Sequence, residues 1–139
     1  MSTYQALDAA FQLLQKLGSS TVHVLRDTAF PQPVPSGGLI ILQSGEPGEP
    51  TDSTLNPRTD YYEHRAQIEI FAPTDTICHE LAEAIEDLVL WNPDIGGAVG
   101  YCYIDGEEMD RLDIEGAGPI ITSVLDFILE YSVRDPLAA

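Results

Sequence analysis

Apolar and polar residues alternate most clearly between Asp60 and Trp91, in DYYEHRAQIEIFAPTDTICHELAEAIEDLVLW. Tyr62, His64, Ala66, Ile68 and Ile70 share one parity, and Glu63, Arg65, Gln67 and Glu69 share the other. That period of two predicts a strand with one buried and one wet face. After a break at Ala72-Pro73 the period lengthens. Ile77, Leu81, Ile85 and Leu88 recur at helical spacing, Ala84 and Val89 widen the stripe, and Glu80, Glu83, Glu86 and Asp87 stay off it. The reading is an amphipathic helix of about four to five turns. Thr74 or Asp75 caps it, and Asn92-Pro93 stops it. A strand running straight into a helix that folds back over it outlines a two-layer core.

Upstream, Tyr4, Leu7, Phe11, Leu14 and Leu17 predict a first helix over residues 2–17, capped by Ser2 or Thr3, with Gly18 in a left-handed terminating position. Thr21–Leu25, TVHVL, reads as a brief strand. In FPQPVPSGG the prolines at 31, 33 and 35 exclude a central ladder, so this link is extended and lies at an edge or outside the sheet. Leu39–Gln43, LIILQ, reads as a strand covered on both faces. Ser44–Arg58, SGEPGEPTDSTLNPR, has no period. It is a long loop or a loosely paired hairpin tip, serving as plain loop chemistry or as an arm that grips a neighbouring subunit.

Further on, Asp94–Gly97 turns, Ala98–Asp105 is a strand, Gly106–Asp113 is a link or strand edge, and Gly116–Pro119 punctuates. Ile120–Val133 is a long last strand. Ile121, Leu125, Phe127, Leu129, Tyr131 and Val133 hold one parity, and Asp126, Ile128, Glu130 and Ser132 the other. Asp135-Pro136 ends the order. The resulting sequence of elements is α-β-β-β-α-β-β. It implies an α+β fold: a mostly antiparallel sheet of about four to five strands with two helices on one face. No linker divides the chain, so residues 1–139 are expected to form a single domain.

Charge changes this picture more than composition does. Six Lys plus Arg stand against 23 Asp plus Glu, a formal net charge of −17. Such a surface repels nucleic acid and anionic lipid, and self-association is costly unless salt or a basic partner screens it. The acids serve solubility, or they form a face that meets a basic partner or lines a passage. Two cysteines, Cys78 and Cys102, make no disulfide framework and read as small apolar fillers. No apolar run reaches the ~20 residues of a membrane span, and no secretory signal opens the chain, so a reducing cytoplasm is the expected setting.

Catalytic signatures are thin. His79 and Glu83 stand at i and i+4, but a zinc hydrolase wants a second histidine there and a third ligand. His64 and His23 have no serine, cysteine or aspartate at a telling spacing and read as core or interface histidines. Gly96-Gly97 and Gly116-Ala117-Gly118 lack the Lys and Ser/Thr of a phosphate loop. No basic patch interleaved with aromatics suggests nucleic-acid binding. The residues alone describe a non-catalytic module, with no catalytic residue, cofactor or metal ligand to nominate.

Four stretches together resemble the small phage tail terminator, or tail-completion, proteins, including those of phage-like gene transfer particles. They are the opening helix ending near Gly18; PVPSGGLIILQSGEPGEP; YYEHRAQIEIFA running into an acidic helix; and the ending GAGPIITSVLDFILEYSV. The resemblance implies a homo-oligomeric, expectedly hexameric, ring at the head-proximal end of a tail tube. It would stop tube growth and offer a surface for head–tail joining, and its place is the tail–neck junction of a virion assembled in the bacterial cytoplasm. Implied partners are other copies of the chain, the tail tube protein and a neck or head-completion protein. DNA would pass through without specific binding, and no membrane is involved.

Glu46, Glu49, Asp52, Arg58, Arg65, Arg111 and Arg134 are the candidate subunit and partner contacts, because guanidinium forks suit carboxylates. Rival readings are another neck connector, a small enzyme or ligand-binding α+β domain using His64 or His79, and an acidic mimic docking on a nucleic-acid-binding partner.

Overall fold

The structure is a computed structural model and describes residues 3–30, 33–55, 58–114 and 118–134, with the backbone alone at 109, 112–114 and 118. The elements in chain order are α1 (Thr3–Gln15), β1 (His23–Arg26), β2 (Leu39–Gln43), β3 (Asp52–Leu55), β4 (Arg58–Ala72), α2 (Asp75–Leu90), β5 (Tyr101–Ile114) and β6 (Gly118–Arg134). The fold is α+β, with one mixed, mostly antiparallel sheet. Among the described residues it has six strands rather than four or five, arranged β1-β2-β4-β6-β5, with β3 pairing β4 off that path. The additional strand is β3, inside the segment read as a loop or hairpin tip, so the element order becomes α-β-β-β-β-α-β-β. Of the two readings for Gly106–Asp113, a link or a strand edge, the second holds: the segment continues edge strand β5 across a register shift between Ile104 and Glu107. Gly106, at φ +108, permits that irregularity.

The sheet is organised around β4 and β6, which pair without a break from Thr59↔Arg134 to Ala72↔Ile121. The alternation expected in β4 holds: His64, Ala66, Ile68 and Ile70 are buried, and Glu63, Arg65 and Gln67 are exposed. Both helices lie on the buried face. α1 contributes Ala6, Leu7, Ala10 and Leu14, and α2 contributes Cys78, Leu81, Ala82, Ile85 and Val89, to one core with Ile68, Ile70, Leu125, Phe127 and Leu129. In α2 this stripe is turned by about one position from the one read in the sequence. Leu81, Ile85 and Val89 are buried as read, but Cys78 and Ala82 join them while Ile77, Ala84 and Leu88 are only half-buried. In α1 the small residues Ala6 and Ala10 face the sheet while Tyr4 is 68% exposed. Thr74 is the α2 cap, its side chain accepting from the Ile77 N–H.

Gly18 is not left-handed as expected. It sits after the last turn with the Gln15 carbonyl oxygen only 3.1 Å from where a Cβ would stand, so closeness of backbone restricts it. Gly38 does have positive φ, +107, and a Cβ there would strike Leu81 of α2 at 2.5 Å.

β1 and β2 run parallel, the exception in a mostly antiparallel sheet. Parallel neighbours need a crossover of about a dozen residues, and the Pro-rich link supplies it. Leu39 and Ile41 of β2 point away from the helices into a second cluster with Phe71 and Ile120, where Leu25, Phe30 and Val34 pack. Phe30 stacks on Phe71 with ring centroids 4.2 Å apart and planes within 4°. The link's described residues lie outside the ladder, as Pro33 and Pro35 require, and Phe30 and Val34 roof one end of the open face.

Candidate interaction surfaces

Among the described residues, the face turned away from the helices is roofed only at that end. Along the rest of it, pairing sets Glu63 of β4 opposite Glu130 of β6, and Glu130 opposite Tyr101 of β5. The next row is Arg65, Ile128 and Tyr103, and the one after it pairs Gln67 with Asp126. Ile128 is fully buried although its parity turns it outward. Its register neighbours Arg65 and Tyr103 carry long side chains suited to covering it.

Acids dominate the rim of this face. Arg65 reaches Asp105 at 3.3 Å and Glu63 at 3.9 Å. The Tyr103 phenol is pushed up, first by loss of solvent and then by Glu63, Glu130 and Asp105, with Arg65 opposing. A groove of about 450 Å³ opens here, bounded by Tyr61, Glu63, Tyr101, Glu130 and Ser132, with Thr51 on one side. Tyr61 and Tyr101 are 41% and 48% exposed in it.

At one end of the sheet β4 and β6 run on with β3 as a three-stranded tongue. Every β3 residue is exposed, and Asp52 to Leu55 pair with Tyr61 to Arg58. This tongue gathers three of the candidate contacts. Asp52 is exposed on β3, Arg58 lies 3.4 Å from Asp60, and Arg134 sits opposite Thr59. Glu46 and Glu49 are exposed on the segment leading into it. Arg65 stands apart on the sheet face. Arg111, also exposed, lies on β5 opposite Ile121, at the other end of the β4–β6 ladder. A further apolar projection, which the sequence reading passed over, is formed by Leu90 and Trp91 at the end of α2, 70% and 80% exposed.

The histidines separate into different environments. His64 is fully buried. Its Nε2 is 2.6 Å from the Ser44 carbonyl oxygen and its Nδ1 is 2.8 Å from Tyr131 Oη. A carbonyl only accepts, so Nε2–H donates to Ser44, and both ring nitrogens are committed to structure. Tyr131 Oη also bonds Thr3 Oγ1 at 3.0 Å, which ties α1 to the sheet. Burial pushes the Tyr131 phenol up, with the Thr3 bond pulling the other way. His79 and His23 are exposed. Cys78 and Cys102 are buried free thiols, both pushed up to about 11, chiefly by burial. Among the described residues no group of three or more His, Cys, Asp or Glu side chains is placed to hold a metal ion. No described helix is long and apolar enough to cross a membrane.

No protein-family model matches the chain. No curated protein matches it either. Among solved structures, the chain is similar to one in the virion of a native gene transfer agent particle. The identity is 16% and the TM-score 0.51, over 95% of this chain and 92% of that one. At that identity the likeness establishes a shared fold.

Proposed function

We propose that this chain is a structural virion protein that works through protein contacts, and more narrowly a tail terminator. In this reading residues 1–139 act as one domain. A ring of copies, six on the pattern of the resembling family, caps the head-proximal end of a phage-like tail tube. The ring ends tube polymerisation and presents its other face to a neck or head-completion protein. The observation that carries the reading is the fold shared along almost the full length with a chain of a gene transfer agent virion.

The exposed surfaces support it. β3, with no buried residue, adds nothing to the core, and the tongue it belongs to carries Asp52, Arg58 and Arg134 outward. Leu90 and Trp91 offer the kind of aromatic and aliphatic anchor that protein interfaces use. His64 favours no catalytic alternative, since it is occupied at both nitrogens.

The test is mass measurement of the purified chain with and without isolated tail tubes, together with particles made without the chain. The expected outcome is a closed ring on one tube end, and overlong tails that fail to join heads when the chain is missing. Tails of normal length joined normally to heads would overturn the reading. A ring that binds the neck protein and ignores the tube would instead make the chain a neck connector.

A further inference from the structure

The groove on the open sheet face has two features that the ring reading does not use. Its floor sets Glu63 and Glu130 directly opposite one another on the two longest-paired strands. Like charges in that relation destabilise a sheet. Arg65 relieves Glu63 only at 3.9 Å and is shared with Asp105, while no ion pair reaches Glu130 among the described residues. Two tyrosine rings, Tyr61 and Tyr101, stand exposed beside these carboxylates. Two acids facing each other between aromatic walls make a poor site for an anion and a poor apolar pocket. A flat cation that stacks on phenol rings and donates a fork of hydrogen bonds to a carboxylate fits both features.

We propose that the groove formed by Tyr61, Glu63, Tyr101 and Glu130 is a docking site for an arginine-bearing segment of a different, basic protein. Charge complementarity argues for that occupant over a second copy. This chain carries −17 and has six basic residues in all. Arg26 is engaged with Asp8, Arg58 with Asp60 and Arg65 with Asp105. An incoming copy therefore brings mostly repulsion, whereas a basic segment discharges the Glu63–Glu130 opposition. The proposal holds whether or not the chain assembles as a ring.

The experiment is an amide NMR titration of the isotopically labelled full chain with an acetylated Gly-Arg-Gly-Arg-Gly amide, alongside its citrulline and lysine counterparts. Saturable shifts centred on Tyr61, Tyr101 and Glu130 are expected, with a Kd on the order of hundreds of micromolar and affinity ordered Arg, then Lys, then citrulline. E130Q and Y101A should each weaken binding about fivefold or more, while the remote E80Q leaves it unchanged. E130Q is isosteric and removes a repulsion, so it keeps the fold, which unchanged circular dichroism verifies. Equal affinity for the citrulline peptide, full affinity in E130Q, or shifts spread evenly over the α2 acids would each overturn the proposal. Shifts of the same amides on concentrating the protein alone, with a rise in mass, would assign the groove to a second copy and overturn it too. A failed ring assay leaves this titration unaffected, so the two readings fail separately.

Discussion

His64 shows what one residue does to connect distant parts of this chain. Its ring joins the segment after β2, through Ser44, to β6, through Tyr131, and so to the start of α1. Replacing it with Phe keeps the volume but leaves the Ser44 carbonyl and the Tyr131 hydroxyl each short of a partner, at a cost of about 1–3 kcal/mol. A double-mutant cycle of H64F and Y131F in urea is expected to return a coupling of about 1 kcal/mol. Additivity within about 0.3 kcal/mol would mean that the bond contributes nothing.

That His64 faces the core was legible in the sequence, because strand parity put it with Ala66 and Ile68. Its partners were not, since Tyr131 lies on a strand far along the chain and local spacing carries no register. The buried thiols act in the alkaline range. Cys78 and Cys102 are raised from the ordinary 9.0 to about 11. An acid whose folded pKa is raised contributes stability that is complete below the unfolded value and is lost as pH rises through the folded one. Stability should therefore fall between about pH 9 and 11. A C78A/C102A double variant should lose a smaller fraction of its pH 8 urea midpoint over that window.

At the scale of elements, the boundaries of β2 and the β4–α2 pair were readable because their periods are long and uninterrupted. The strand β3 and the roof formed by the Pro-rich link were not. Asp52 to Leu55 contains no buried position, so no hydrophobic alternation marks it; only its pairing with β4 makes it a strand. The roof depends on Phe30 meeting Phe71, a contact set by the parallel crossover from β1 to β2. F30A should destabilise the fold by about 2 kcal/mol, below the figure for a fully buried ring, because Phe30 is half-buried. The tongue predicts the opposite kind of result. Replacing residues 53–60 with Asn-Gly retains Asp52 opposite Tyr61, a pairing that a two-residue turn can close. Stability by urea unfolding should change by less than about 1 kcal/mol, while assembly on tail tubes is lost. Normal assembly of the shortened chain would remove the tongue, with Arg58, from the contact surface.

For the whole molecule the dominant quantity is the charge of −17. A ring of six copies gathers about −100 charges, so two opposed effects meet in any assembly. General repulsion weakens as salt rises, since the screening length falls from about 20 Å at 20 mM to about 4 Å at 0.5 M. Specific pairs between the few arginines and neighbouring carboxylates weaken as well, but an exposed pair contributes only about 0.2–1 kcal/mol. Repulsion among so many acids outweighs a handful of such pairs, which sets the sign: self-assembly should strengthen with salt. Sedimentation of the purified chain at matched concentration should show more of the ring at about 0.5 M NaCl than at about 20 mM. Binding of a basic segment in the Glu63–Glu130 groove must run the other way, because there opposite charges attract and salt screens the attraction. Ring formation that weakens with salt would mean that arginine–carboxylate pairs hold the subunits together. The tongue residues Arg58 and Arg134 would then be the first to replace.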